Sequence, residues 1–235
     1  MLDSAIKAAR QVFSPPFRAV LFKSLGLTLL LLAVGWIGLQ ALAEHLLTLE
    51  NPTLNLVARI VAGLGTALGM LFLVVPVTAA IAGLFLDDIA EVVEREHYPR
   101  DPAGAAVPLV RGLALSARFG LLVLGLNLLM LPLLFVPVIG QIIWLVVNAY
   151  LLSREYFSLA AMRFRSEADA TALRRRNRFK VFAAGLVTAA LVIVPFANLL
   201  TPLFATAFFV HLHKRVARAD AQRLGTEASP PRLRP

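Results

Sequence analysis

The chain has 235 residues, of which 59% are hydrophobic and 16% charged, and its net charge is +9. A soluble domain carries roughly a quarter charged residues and somewhat under half apolar ones, so an ordinary soluble protein is excluded. The absence of cysteine excludes disulfides, thiolate metal sites and a cysteine nucleophile.

Residues 1–13 (MLDSAIKAARQVF) place Leu2, Ile6, Ala9 and Phe13 at helical spacing, with Lys7 and Arg10 on other faces. That pattern suits a short helix lying in the membrane interface. Ser14-Pro15-Pro16 is expected to end it, because the residue before a proline is pushed out of the helical region. Leu25 to Ala43 reads as a membrane helix preceded by Arg18 and Lys23. Ala41-Leu42-Ala43 matches a signal-peptide cleavage site, but the segment ahead of the apolar run is far longer than a basic n-region, so an uncleaved helix is predicted.

A polar connection follows over 44–59, with a turn at Asn51-Pro52. Ile60 to Leu86 is free of charge and makes about 40 Å of helix at a rise of about 1.5 Å per residue. This exceeds a hydrocarbon core of roughly 30 Å, so tilt or protrusion is implied. LFLDDIAEVVEREHYPRD, residues 84–101, reads as the aqueous continuation of the same helix. Phe85, Ile89, Val92 and Val93 keep an apolar stripe, and Asp87, Asp88, Glu91, Glu94 and Glu96 take the other faces. Glu91 and Arg95 stand at i and i+4 and can pair.

Two similar units come next, over 117–157 and 178–215, forming a weak internal repeat in the same direction. Val136-Pro137-Val138-Ile139-Gly140 breaks the first, and Val194-Pro195-Phe196-Ala197-Asn198 breaks the second. The apolar arms Phe119 to Leu131, Ile139 to Leu152 and Thr201 to His211 are short for complete spans. They suit re-entrant or interfacial hairpins, with two short spans joined by a tight turn as the alternative. The predicted class is an all-α integral membrane protein: two long transmembrane helices, two proline-broken hairpins and an N-terminal interfacial helix. Residues 1–218 form a single membrane domain in this reading, and 219–235 a disordered basic tail.

Basic residues orient the chain. With a cytoplasmic N-terminus, every Lys and Arg except Arg59 falls on the cytoplasmic side, as the positive-inside rule requires. Both termini are then cytoplasmic. The basic runs, including Arg174-Arg175-Arg176, have no aromatic interleaving of the kind single-strand nucleic-acid binders use, so no nucleic acid is expected.

Glu94-Arg95-Glu96-His97 spells E-x-x-H, but di-iron bundles need two such motifs and further glutamates, so a solvated helix end is preferred. His211 and His213 lie at i and i+2, on different sides of a helix, and read as a polar helix end. No nucleophile elbow, Walker A or dinucleotide motif appears, so neither an enzyme nor a cofactor is expected. Residues 25–43, 60–86, 119–152 and 181–210 contain no Asp, Glu, Lys or Arg. Pumps usually keep an ionisable group within the membrane, so a proton relay there is disfavoured.

What remains is uncharged. Asn127, Gln141, Asn148, Asn198 and Thr201 either pair between helices, at about 1 kcal/mol each, or line a polar path. Arg18 and Lys23 are either ordinary flanking charges or an anion-binding pair near a helix start.

Four segments resemble a known family. They are Leu86-Asp87-Asp88-Ile89-Ala90-Glu91-Val92-Val93-Glu94, Val136-Pro137-Val138-Ile139-Gly140, Asn148-Ala149-Tyr150 leading to Glu155-Tyr156-Phe157, and Asn198-Leu199-Leu200-Thr201-Pro202-Leu203. Their order and spacing resemble the CysZ family of bacterial sulfate permeases, grouped with the etoposide-induced-protein family. The resemblance implies a multi-pass protein of the bacterial inner membrane that takes up sulfate for cysteine synthesis, with the hairpins assembling a homo-oligomeric pore. It also implies sulfate binding at a Gly-Leu-Arg segment before the first long helix. The matching Pro16-Phe17-Arg18 keeps the arginine and lacks the glycine and leucine. A non-transporting, membrane-shaping or interaction protein is the rival reading, its basic cytoplasmic surface binding anionic membrane lipids.

Overall fold

A computed structural model describes residues 2–46, 52–136 and 138–227. Ten helices make up its regular structure among the described residues: α1 (Leu2–Val12), α2 (Pro15–Leu46), α3 (Pro52–Gly83), α4 (Leu86–His97), α5 (Leu109–Met130), α6 (Ile139–Met162), α7 (Glu167–Arg176), α8 (Arg178–Ile193), α9 (Pro195–Asn198) and α10 (Thr201–Glu227). A 3₁₀ turn over Leu131–Phe135 follows α5. The expected all-helical class is observed.

The described residues group into two compact units. One is Arg18–Phe85; the other joins Met1–Phe17 to Leu86–Pro235.

The first unit contains most of α2 and α3. Pro15–Leu42 and Pro52–Leu71 are long and apolar enough to cross a membrane. Within this unit Gly35 faces the tip of Met70, and Gly63 faces the amide of Gln40, so the two helices run antiparallel with small residues at their contact. Leu30, Leu31, Val34 and Ile37 of α2 and Leu64, Leu68 and Leu71 of α3 are exposed. Apolar surface on this scale is stable in hydrocarbon and unstable in water. Thr28 and Thr66 donate their hydroxyls to the carbonyls of Ser24 and Ala62 one turn earlier, so neither is orphaned in an apolar setting.

Three boundaries differ from the sequence reading. α2 begins at Pro15 rather than Leu25, because a proline in a helix's first turn gives up an N–H that has no helical partner there. The expected connection over 44–59 shrinks, since α2 continues to Leu46 and α3 starts at Pro52; residues 47–51 lie outside the described residues. The acidic stretch is not a continuation of α3. That helix ends at Gly83, Leu84 donates its N–H to the Ile81 carbonyl at 3.0 Å, and α4 starts afresh at Leu86. Asp87 and Asp88 then occupy the first turn of α4, where the helix dipole favours negative charge.

The second unit is organised on α10, whose residues 201–214 are all buried. Ala205, Phe208, Phe209 and Leu212 are completely covered, and α1, α4, α6 and α8 pack against this helix. α8 buries Val181, Ala184, Gly185, Thr188 and Ala189, one face at 3.6-residue spacing. That face lies on α6, where Gly185 approaches the Ala149 carbonyl and Ser153 so closely that a Cβ would stand 2.1 Å from the carbonyl oxygen.

The paired breaks of the repeat are both present, as the 3₁₀ turn and α9, although Pro137 is outside the described residues. Val138 takes a positive φ of 66°, costly for a β-branched residue. The Gln141 side chain accepts its N–H at 3.0 Å and caps α6. The helices themselves exceed the apolar arms. α6 continues to Met162 and α10 to Glu227, taking in residues 219–227 that composition assigned to the tail.

Candidate anion-binding site

Arg18 and Lys23 lie in the opening turns of α2 and are exposed. They therefore sit on the helix itself, not in a loop ahead of it. Phe17, at the position where the resemblance has leucine, is completely buried.

Four of the five uncharged polar residues make local hydrogen bonds. Asn127 donates to the Val123 carbonyl at 2.8 Å and Asn148 to the Trp144 carbonyl at 2.9 Å. Thr201 reaches the Ala197 carbonyl at 3.5 Å, and Gln141 caps α6. Asn198 is half-buried at the end of α9. Among the described residues none of the five bonds to another.

Charge is concentrated in three other places, all within the second unit. In the first, Arg163 at the end of α6 is buried. Its Nε donates to Glu94 Oε1 at 2.8 Å, it pairs with Asp87, and a second nitrogen reaches the Gly104 carbonyl at 3.4 Å. Gly104 donates its N–H to Glu94 Oε2 at 3.0 Å. A Cβ there would press on both Glu94 and Arg163. Glu94 is thus a buried ion-pair partner, which corrects the solvated-helix-end reading at that residue alone. Glu91 and Arg95 are exposed and form no salt bridge among the described residues.

A chain of hydrogen bonds surrounds His211. Tyr98 Oη lies 2.8 Å from its Nδ1 and Gln11 Oε1 lies 3.0 Å from its Nε2. A neutral ring that donates from Nε2 and accepts at Nδ1 satisfies both contacts. Gln11 in turn donates to Glu96 at 3.1 Å. His213 stacks on Phe164 and meets Phe157 edge-on. Both histidines are within the core, not at a polar helix end.

Burial, helped by the nearby positive charges, lowers His211 to about 4 and His213 to about 3. The unfolded chain takes up protons at pH values where these rings remain neutral, so stability rises with pH through that interval. Acidification from 6.5, the ordinary histidine value, towards 4 is therefore expected to lower the melting temperature of the detergent-solubilised protein progressively. A flat profile across that interval would contradict the buried neutral assignment.

The second charged place closes the connection after α4. Lys214 pairs with Asp101 at 3.3 Å while lying 3.9 Å above the Phe164 ring, and Arg218 holds both Asp101 oxygens at 2.9 and 3.1 Å. Burial raises the Asp101 pKa, but the Arg218 and Lys214 contacts outweigh it and hold the carboxyl below its ordinary value.

The third is a cavity of about 230 Å³ whose lining comes from α5, α6 and α7 and includes Arg118, Arg154, Arg174 and Arg175. The basic run was legible in sequence, but its meeting with Arg118 and Arg154 was not.

A family model described as sulfate transporter CysZ/etoposide-induced protein 2.4 matches residues 4–202. No curated protein matches the chain.

Proposed function

Since the chain belongs to the sulfate transporter CysZ/etoposide-induced protein 2.4 family, we propose that it is a membrane permease for sulfate or a related oxyanion. The observation that carries this reading is the family match over residues 4–202, combined with two apolar helices of membrane length. The charge-free membrane segments favour channel-like passage down a gradient over coupling to a proton relay. Uptake across a bacterial inner membrane, feeding cysteine synthesis, accords with that chemistry, and the positive-inside bias supports cytoplasmic termini.

Arg18 and Lys23 attract the anion to one membrane surface. The amides and hydroxyls of Asn127, Gln141, Asn148, Asn198 and Thr201 provide uncharged steps through a homo-oligomer, and Asn127, Asn148 and Thr201 exchange their bonds to carbonyls one turn earlier for the passing anion. Arg18→Ala is expected to lower sulfate flux into liposomes about tenfold, the worth of one charge-assisted hydrogen bond. Unchanged flux in both Arg18→Ala and Lys23→Ala would remove these residues from the path.

One observation is also compatible with the rival, membrane-shaping reading. α1 buries Ser4, Ala8, Gln11 and Val12, yet leaves Leu2, Ile6 and Phe13 at 81%, 50% and 70% exposure. An amphipathic helix with its apolar side unoccupied suits insertion into a lipid interface. The same feature equally anchors a permease, so flux discriminates between them.

A further inference from the structure

The arginine-lined cavity has no part in the path proposed above. Along α6 its lining recurs at Arg154, Ser158 and Met162, and along α7 at Glu167, Thr171 and Arg174. Each set stands on one helix face, so one face of each helix borders a common volume, to which α5 adds Arg118. Four guanidiniums meet two carboxylates there, Glu155 and Glu167.

None of these four arginines forms a salt bridge among the described residues. The Nε of Arg174 is buried with no hydrogen-bond partner. A buried charged donor is costly unless something accepts from it, and guanidinium does not escape the cost by losing its proton.

An anion with several oxygens answers these demands together. Guanidinium forks match the paired oxygens of sulfate and phosphate groups, and the Ser158 and Thr171 hydroxyls lining the same volume supply further donors. Liquid water occupies roughly 30 Å³ per molecule, so the cavity holds a small tetrahedral anion with some of its hydration. We propose that this cavity is an oxyanion-binding site separate from Arg18 and Lys23, taking a tetrahedral group either as free sulfate or phosphate or as the phosphate of a lipid headgroup.

Glu155 tunes the site. Burial raises its pKa to about 7, although Arg154 pulls in the opposite direction. The charged groups lining the cavity around it are Arg118 from α5, Arg154 beside it on α6, and Glu167, Arg174 and Arg175 from α7. Protonating Glu155 removes one of the two negative charges that oppose an anion. Binding therefore strengthens on acidification through neutrality.

The proposal does not rest on transport, and binding tests it directly. Sulfate is titrated calorimetrically into the detergent-solubilised full chain carrying Arg18→Ala with Lys23→Ala, which together silence the proposed entry site. In parallel, the chain in nanodiscs with and without phosphatidylglycerol is assayed for retained anionic lipid by native mass spectrometry.

Adding Arg154→Ala with Arg175→Ala is expected to weaken sulfate binding about a hundredfold, roughly tenfold for each charged donor lost. Glu155→Gln is expected to tighten binding above neutrality, a gain that misfolding does not produce. Arginine-dependent retention of lipid without sulfate binding would identify the occupant as a headgroup, with the same chemistry. Sulfate affinity and lipid retention both indifferent to the arginine pair would overturn the proposal. Flux is read separately, so a failed permease and a failed cavity give different results.

Discussion

Arg163→Met is expected to destabilise the protein by about 3–5 kcal/mol, the cost of breaking a buried ion pair from one side. The Arg163 side chain is 4% exposed and that of Glu94 is 7%, so neither reaches bulk water when its partner is removed. Methionine fills much of the volume but, among the described residues, leaves the Glu94 carboxylate with only the Gly104 N–H as a donor. The pairing also ties α4 to the end of α6 and to the connection at Gly104, so the loss spreads beyond one contact.

Arg163→Lys is expected to recover only part of the stability, because an ammonium does not reproduce the guanidinium fork that serves Glu94, Asp87 and the Gly104 carbonyl at once. The double variant Arg163→Met with Glu94→Leu removes both charges and is expected to regain most of the loss. Thermal unfolding of the detergent-solubilised variants checks this. A double variant no better than the single one would show that packing, not the orphaned carboxylate, sets the cost.

Gly185→Ala is the other large effect. A methyl group there would lie 2.1 Å from the Ala149 carbonyl oxygen and 2.6 Å from Ser153 Cβ, and a backbone carbonyl has no rotamer with which to retreat. α8 must move away from α6. Overpacking of this kind costs typically about 1–3 kcal/mol. It also spreads along the contact made by Ala184, Thr188 and Ala189. Ser153→Gly opens space beside the intruding methyl but leaves the clash with the carbonyl, so partial rescue is expected. Folding of Gly185→Ala at wild-type stability would contradict the close helix approach.

The charge-free runs made the two long helices legible, since hydrocarbon tolerates neither charge nor an open backbone. Their ends were harder. Ser14-Pro15-Pro16 reads as the end of α1, yet Pro15 and Pro16 also open α2. A proline pair serves both purposes, and only the geometry of the following turns decides. Apolar continuity hid the break after Gly83, because the hydrophobic stripe passes through Leu84 and Phe85 without interruption.

The buried charge network was invisible for a different reason. Arg163 and Glu94 are 69 positions apart, and nothing local distinguishes Glu94 from the exposed Glu91. His211 hides its role likewise, since its partner Gln11 lies 200 positions away. At the candidate sites, Arg18 was legible as a charge at a membrane edge. The cavity needed the packing of three helices, because Arg118, Arg154 and the α7 arginines converge only once those helices meet.

Radiolabelled sulfate flux into liposomes containing the purified protein, beside protein-free vesicles of the same lipid, tests transport most directly. The permease reading predicts saturable uptake that follows the sulfate gradient and is suppressed by excess unlabelled sulfate. Flux no faster than through protein-free vesicles, from protein shown to be folded and inserted, would contradict it and leave the membrane-shaping reading in its place.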